Sequence, residues 1–564
     1  MKSLKNIMMW LGAASLISAV VSCDKEPEFV QDIPYASAYS GTFYEWPSYN
    51  PTIHYDLKED PEFKDLPAPT KNIPYNNDYP SKPAVVYDNG KFWSYFEGRN
   101  ANSIIKGNEA AIDKMFEQLE ADAAYMRDQM GWPPTTSVRK GYRDAVFLFG
   151  SDLATDNASN TELGGWQSGI SVGRVSYPIV LLSYYPTYCF DPSCDYSDKK
   201  YQTEAVTHEY IHAIFASMPG CRKSAWFHEG ANCWLQATMN YNREHPDGNY
   251  IANDMGWLST GSAIAPFIPI ECYSGWLLDG SFGGPQAQGV NENFRQTIGG
   301  IQYSEMFPTF LGEIIGKGSV PWVWNNCTGN VLTGIAEEIG KDQMERMIQE
   351  YRARIALCDM GRYSQAVFNL TRNAMGAIYG SDVDGKYVAP WKATPYASAS
   401  PVTDQAEVRV LNTRVPVPPS QVTEEEGIGE WDDAQWLKPD ELTLPGWTGA
   451  NIIPLKVEGD KLLVAFQPYG ERSTVNNMSC QLCYRTAEGK TVYGNPFKNG
   501  SFLLDLSKDR PANDVVFAVV TNLHYTFEKS DVRKYKYDYR LKISENAHVA
   551  NIHERWYDWK TVVE

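Results

Sequence analysis

The hydrophobic periodicity of this chain changes once, near Pro390, and the change requires at least two differently built bodies. Upstream of it, Ala111, Met115, Leu119, Ala123 and Met126 recur at three or four, which predicts a helix over Asn108 to Met130 that Gly131-Trp132-Pro133-Pro134 ends. Tyr201 to Ser217 reads as a second helix, broken at Pro219-Gly220, and Ser224 to Asn240 as a third. Further helices are expected across Tyr303 to Ile315 and Asp342 to Leu357. Between them, Ala145 to Phe149, Gly169 to Val175 and Ile179 to Tyr184 are short β-prone runs that should pair into a sheet. After Gly446 the pattern is all β: Ile452 to Val457, Lys461 to Gln467, Cys480 to Arg485, Ser501 to Leu506, Val515 to Thr521 and Tyr535 to Ile543. Glu458-Gly459-Asp460 and Glu488-Gly489-Lys490 supply turns between such runs. A chain of 564 residues also exceeds what one core organises. The expected class is therefore α+β: a mixed domain over 92–390, a loose Pro-rich and acidic linker over 391–445, a β-sandwich over 446–545 and a tail over 546–564.

The first 23 residues carry Lys2 and Lys5, an apolar stretch from Ile7 to Val21, and Ser22 directly before Cys23. That order is the pattern of a signal peptide, and a small residue before Cys resembles a bacterial lipobox. The expectation is a lipid anchor at Cys23, which would hold the chain at a bacterial cell envelope, outer membrane or cell surface. The polar, acidic segment that follows, within 24–91, reads as a tether and irregular wrapping segment. No second apolar stretch approaches spanning length, so the anchor would be the chain's one contact with a membrane.

A formal charge of -19 repels phosphate backbones, and no basic patch offsets it, so nucleic acid is excluded as a partner. Nine cysteines remain once Cys23 is set aside, an odd number that cannot all pair internally. Cys189 with Cys194, and Cys221 with Cys233, are near enough in sequence to be candidate bridges. Cys480-x-x-Cys483 lies in a predicted strand, where positions three apart face opposite ways, so it reads as packed thiols rather than a metal or redox pair.

Thr207-His208-Glu209-Tyr210-Ile211-His212 contains H-E-x-x-H on a segment already read as helical. Two imidazoles four apart share one helix face, which lets both bind one Zn²⁺. Glu209 borders that face and can reach a water beside the ion as general base. A catalytic zinc needs a third protein ligand and one open position.

The following helix opens with Trp226-Phe227-His228-Glu229-Gly230-Ala231-Asn232. With the first motif, this resembles the gluzincin metallopeptidases, the clan of thermolysin and the zinc aminopeptidases, over Thr203 to Gln236 and more loosely over about 92–363. The resemblance implies His208, His212 and Glu229 as zinc ligands and Glu209 as base. His228 stands where that clan usually has Asn and leaves a three-histidine site open. Asn232 is the candidate to orient Glu229. Tyr303, with Tyr273 as competitor, is the candidate to stabilise the oxyanion, and the edge of Ile179 to Tyr184 the candidate to bind extended peptide by strand addition.

The expected function is a zinc-dependent metallopeptidase with a gluzincin-like catalytic domain, hydrolysing peptide bonds of extracellular proteins or glycoproteins. The sandwich would recruit substrate or position the enzyme. The alternative is a carbohydrate-binding or scaffolding surface lipoprotein with a vestigial zinc site.

Overall fold

The computed structural model describes residues 53–57, 60, 63, 66–74, 85–98, 108–151, 153, 164–256, 259–264, 266–271, 304–379, 391–393, 399–401, 409–411, 435–439, 444–469, 477–526 and 537–550. The first 23 residues, read as a signal peptide ending at Cys23, most of 24–91 and 391–445, Cys272, Tyr273, Tyr303 and residues 551–564 lie outside them. Among the described residues no helix is long and apolar enough to cross a membrane.

The protein is α+β, with three five-stranded sheets. The first comprises β1 (Val85–Asp88), β2 (Trp93–Glu97), β3 (Asp144–Leu148), β4 (Gly165–Val172) and β5 (Val175–Leu182), in the order β1-β2-β3-β5-β4. The three central strands run parallel to one another; β1 and β4 are antiparallel edges. Strand alternation divides the buried residues between two faces. Trp93, Tyr95, Val146, Leu148, Val180 and Leu182 face the main helical core, while Phe96, Ala145, Phe147, Ile179 and Leu181 face a smaller cluster on the other side.

Two helices cover the main face. Helix α1 (Glu109–Asp128) starts at Asn108, whose side chain accepts the Ala111 N–H at 3.1 Å, and turns its buried stripe of Ile112, Met115, Phe116 and Leu119 to the sheet. Its exit needs Gly131, in the left-handed region at φ 75°, where a Cβ would sit 2.7 Å from the Asp56 carboxylate. The chain passes through the short α2 (Tyr184–Tyr188) into α3 (Lys199–Ala216) and α4 (Ala225–Glu244). The break between α3 and α4 is the expected one, and Gly220 makes it possible: its N–H donates to the Trp324 carbonyl at 2.7 Å, so close that a Cβ would overlap it.

Met306–Phe310 is α-helical as expected, but Leu311–Ile315 continues as a π-helical turn. Sequence reasoning misses the helices α5 (Ser319–Asn326), α6 (Val331–Ile339) and α8 (Ser364–Tyr379), which flank the expected α7 (Lys341–Leu357).

The second and third sheets form the sandwich. One contains β8 (Ala450–Val457), β10 (Met478–Arg485) and β13 (Val515–Asn522), with Thr491–Tyr493 and Ala547–Val549 at its edges. The other contains β9 (Lys461–Tyr469), Gly500–Asp505 and Asp538–Ile543, and is extended by β6 (Arg409–Leu411) and β7 (Gln435–Lys438). The strand pairing therefore runs past both expected limits, 446 and 545. β6 and β7 come from the stretch read as linker, and Ala547–Val549, read as tail, pairs with β8. Strands of three or four residues carry too little alternation to be seen in a sequence.

The sandwich is not a separate module on a hinge. Cys483, Phe517 and Val519 share a core with Ile348, Tyr351 and Ile355 of α7, while Cys480, Leu482, Val516 and Ala518 face the third sheet. The two cysteines of the C-x-x-C thus point to opposite faces, as expected of a strand. Arg354 of α7 bonds Glu350 at 2.8 Å and Asp359 at 2.7 Å, and Asp359 accepts the Tyr493 hydroxyl at 2.6 Å. Arg485 donates to the last carbonyls of α7, Leu357 at 2.8 Å and Cys358 at 3.3 Å.

Candidate metal centre

The back of α3 is fixed before its front can do anything. Thr207 donates to Asp122 of α1 at 2.6 Å and accepts from Gln118 at 2.9 Å. Tyr210 donates to Asp144 at 3.2 Å and meets Trp93 edge-on at 4.7 Å. These contacts occupy the faces at 207 and 210, so 208, 209 and 212 turn the other way.

α4 is anchored by Trp226 and Phe227, both buried, and Asn232 donates across to the His208 carbonyl at 2.8 Å. The result is convergence. Glu229 Oε2 lies 3.3 Å from His208 Nε2 and 3.2 Å from His212 Nε2, and all three candidate ligand atoms fall within 4.8 Å of one another. Ligand atoms about 2.0–2.1 Å from a tetrahedral Zn²⁺ stand about 3.3 Å apart, the spacing that Glu229 has to each imidazole, so these residues could hold a metal ion. The side chains remain 22%, 12% and 28% exposed for His208, His212 and Glu229, which leaves one side of the cluster approachable.

Charge reinforces the arrangement. Burial alone would push the Glu229 carboxyl up, but hydrogen bonds from both imidazoles outweigh it and hold that carboxyl well below its ordinary range. Burial opposes the charged form of His208, yet Glu229 and Glu209 raise it overall. Glu209 behaves differently from Glu229: burial raises its carboxyl, and the neighbouring imidazoles only partly offset that. Two carboxylates on one site are thereby set apart, one suited to hold a cation and one to exchange a proton.

Glu209 packs against the edge strand. Gly165 of β4 lies so near that a Cβ there would come within 2.8 Å of Glu209 Cγ. The Gln167 main-chain N–H hydrogen-bonds the Glu209 carboxylate. Sequence reasoning missed both residues, because it begins that strand at Gly169. The available signal is the Gly164-Gly165 doublet, since a glycine in a strand marks close backbone approach.

Four expectations change. The Nε2–H of His228 donates to the Cys221 carbonyl at 2.9 Å and its ring meets Trp324 at 4.7 Å, so it faces away and the three-histidine alternative falls. Asn232 does not orient Glu229; its amide binds the His208 main chain, because one turn past Glu229 it points at α3. Ile179 to Tyr184 has no free edge: β5 (Val175–Leu182) pairs with β3 on one side and β4 on the other. Among the described residues the free edge nearest the cluster belongs to β4. Cys221 lies against Cys327, its N–H donating to that carbonyl at 2.6 Å, rather than bridging Cys233. Tyr303 and Tyr273 lie outside the described residues.

No protein-family model, curated protein or solved structure matches the chain.

Proposed function

We propose that this chain is a zinc-dependent metallopeptidase of the gluzincin type, hydrolysing peptide bonds of extracellular proteins or glycoproteins. The observation that carries the reading is the position of one atom, Glu229 Oε2, within 3.3 Å of both imidazole nitrogens, with Glu209 beside it. His208, His212 and Glu229 would hold the ion. When bound, Zn²⁺ polarises a scissile carbonyl and makes a neighbouring water more acidic.

The chain's own residues do the rest. Glu209, its carboxyl raised by burial, takes the proton of the attacking water and returns it to the leaving amine. The Gln167 N–H holds that carboxylate in place. The edge of β4, unpaired among the described residues, offers main-chain groups to an extended substrate, which fits a peptide, whose own main chain can pair with a strand. The same proposal includes a lipid anchor at Cys23 and residence on a bacterial envelope.

The test is zinc content and hydrolysis of a diverse peptide library by the purified wild type and Glu209→Gln. Bound zinc in both, with cleavage by the wild type alone, supports the reading. Zinc in both with no cleavage by either, together with signal on a glycan array, favours a binding lipoprotein with a vestigial site.

A further inference from the structure

The loop between α2 and the metal-carrying helix α3 holds two sulfurs against each other. The thiol of Cys194 donates to the Cys189 sulfur at 3.7 Å, and both residues are buried, at 0% and 7% exposure. Their backbones are already fixed. The Cys189 N–H closes α2 on the Tyr185 carbonyl at 3.0 Å, the Asp191 N–H bonds Tyr188 at 2.8 Å, and the Cys194 N–H bonds Asp191 at 3.0 Å. Lys199 then binds the carbonyls of Asp191 and Cys194 at 2.9 and 3.4 Å. A disulfide needs its sulfurs at about 2.05 Å, so the two sulfurs, already in contact at 3.7 Å, have only the remaining gap to close.

We propose that Cys189 and Cys194 form a structural disulfide that staples the entry to α3. The bond forms by exchange with a low-molecular-weight or protein disulfide. The new Sγ–Sγ bond is made, the oxidant's S–S bond breaks, and the two cysteine protons leave with its two departing thiols. Burial and the neighbouring sulfur push the Cys189 thiol up to about 12, and both sulfurs are buried, so neither is readily reached by an oxidant once the loop has folded. Exchange therefore belongs to the folding chain, before the loop is buried, and burial of both sulfurs then keeps external thiols from the finished bond.

The consequence is local. α3 has no side-chain cap at Asp198, so its first turn depends on the loop that delivers it. That loop carries Tyr196, packed on Tyr185 at 5.0 Å and Tyr188 at 5.8 Å between ring centres. A bridge from Cys189 to Cys194 would hold this tyrosine group and the first turn of α3 together. The inference does not depend on the chemistry proposed for His208, His212 and Glu229.

The experiment is a peptide map of the full chain. Wild type is denatured and reduced, then refolded with glutathione disulfide, unfolded in an alkylating agent without reductant, digested and weighed. The expected result is a fragment in which Cys189 and Cys194 are unalkylated and together two hydrogens lighter. A parallel sample refolded in reductant should carry alkyl groups on both. Alkylation of both after oxidative refolding, or linkage of either to a different cysteine, overturns the proposal. A Cys189→Ser, Cys194→Ser variant gives a second readout: trypsin should cut the native chain at Lys199 and Lys200 several-fold faster than the oxidised wild type. Equal rates would overturn the stapling role even if the bond is present.

Discussion

Asn232 on α4 donates its side-chain amide to the main-chain carbonyl of His208 on α3, at 2.8 Å and with no exposure to solvent. This bond ties together the two helices that carry the candidate ligands within one turn of Glu229, at the level where their side chains converge. Asn232→Ala should therefore loosen the donor set without removing a donor. The expected outcome is zinc affinity lowered by about 10- to 100-fold, measured by competition with a chelator of known affinity. An unchanged affinity would show that packing of Trp226 and Phe227 alone sets the helix spacing.

Gly165 and Glu209 make a second prediction. A methyl group at 165 would meet Glu209 Cγ at 2.8 Å, Leu182 Cδ2 at 2.9 Å and the Leu181 carbonyl at 3.2 Å, so the Glu209 and Leu182 side chains both have to shift while the carbonyl stays fixed. Gly165→Ala should displace the proposed base while leaving the three ligands in place. Hydrolysis should fall in the direction of Glu209→Gln, for which a loss of about 10²- to 10⁴-fold is expected, with zinc content unchanged in both. Loss of zinc in Gly165→Ala would mean that the strand supports the ligands rather than the base.

Asp144 couples stability to pH. It is buried between the Thr135 hydroxyl at 2.5 Å and the Tyr210 hydroxyl at 3.2 Å, and burial pushes its carboxyl up to about 7. In the unfolded chain the same group titrates near 3.9. Between those values the folded protein holds a proton that the unfolded chain has released, so this group's contribution is complete below about pH 4 and is lost as pH rises through about 7. Asp144→Asn stays neutral throughout. Urea unfolding of both proteins should show wild type losing stability relative to the variant across that window, by on the order of 4 kcal/mol. A constant difference from pH 4 to 8 would contradict the assignment.

How much of this was legible in the sequence depends on the length of the signal. Glu109–Asp128, Lys199–Ala216 and Ala225–Glu244 are long enough for their periodicity to show, and they were expected within a few residues. His208, Glu209 and His212 follow from spacing on one helix. Convergence of Glu229 on both imidazoles does not, because it depends on the turn at Gly220 and on how α4 folds back. Val85–Asp88 lies in a stretch that reads as irregular, and the part played by Gln167 uses its main chain, which its residue type does not encode. Which strand owns the free edge is a matter of pairing order, so Ile179 to Tyr184 looked like an edge and is not.

The union of helices and sandwich through α7 predicts a single unfolding event. Arg354 is buried between Glu350 and Asp359, and Tyr493 and Thr491 of the sandwich reach the same Asp359 carboxylate, at 2.6 and 3.3 Å. Arg354→Met removes the cation and leaves two acidic groups buried without it, a change that costs about 3–5 kcal/mol when one partner of a buried pair is lost. Because the residues concerned belong to both halves, the loss should lower the midpoint of the whole molecule. Circular dichroism at helix and aromatic wavelengths should follow one transition in wild type and one, at lower denaturant, in the variant. Two separated transitions in wild type would show that the sandwich folds independently and that the shared core adds little.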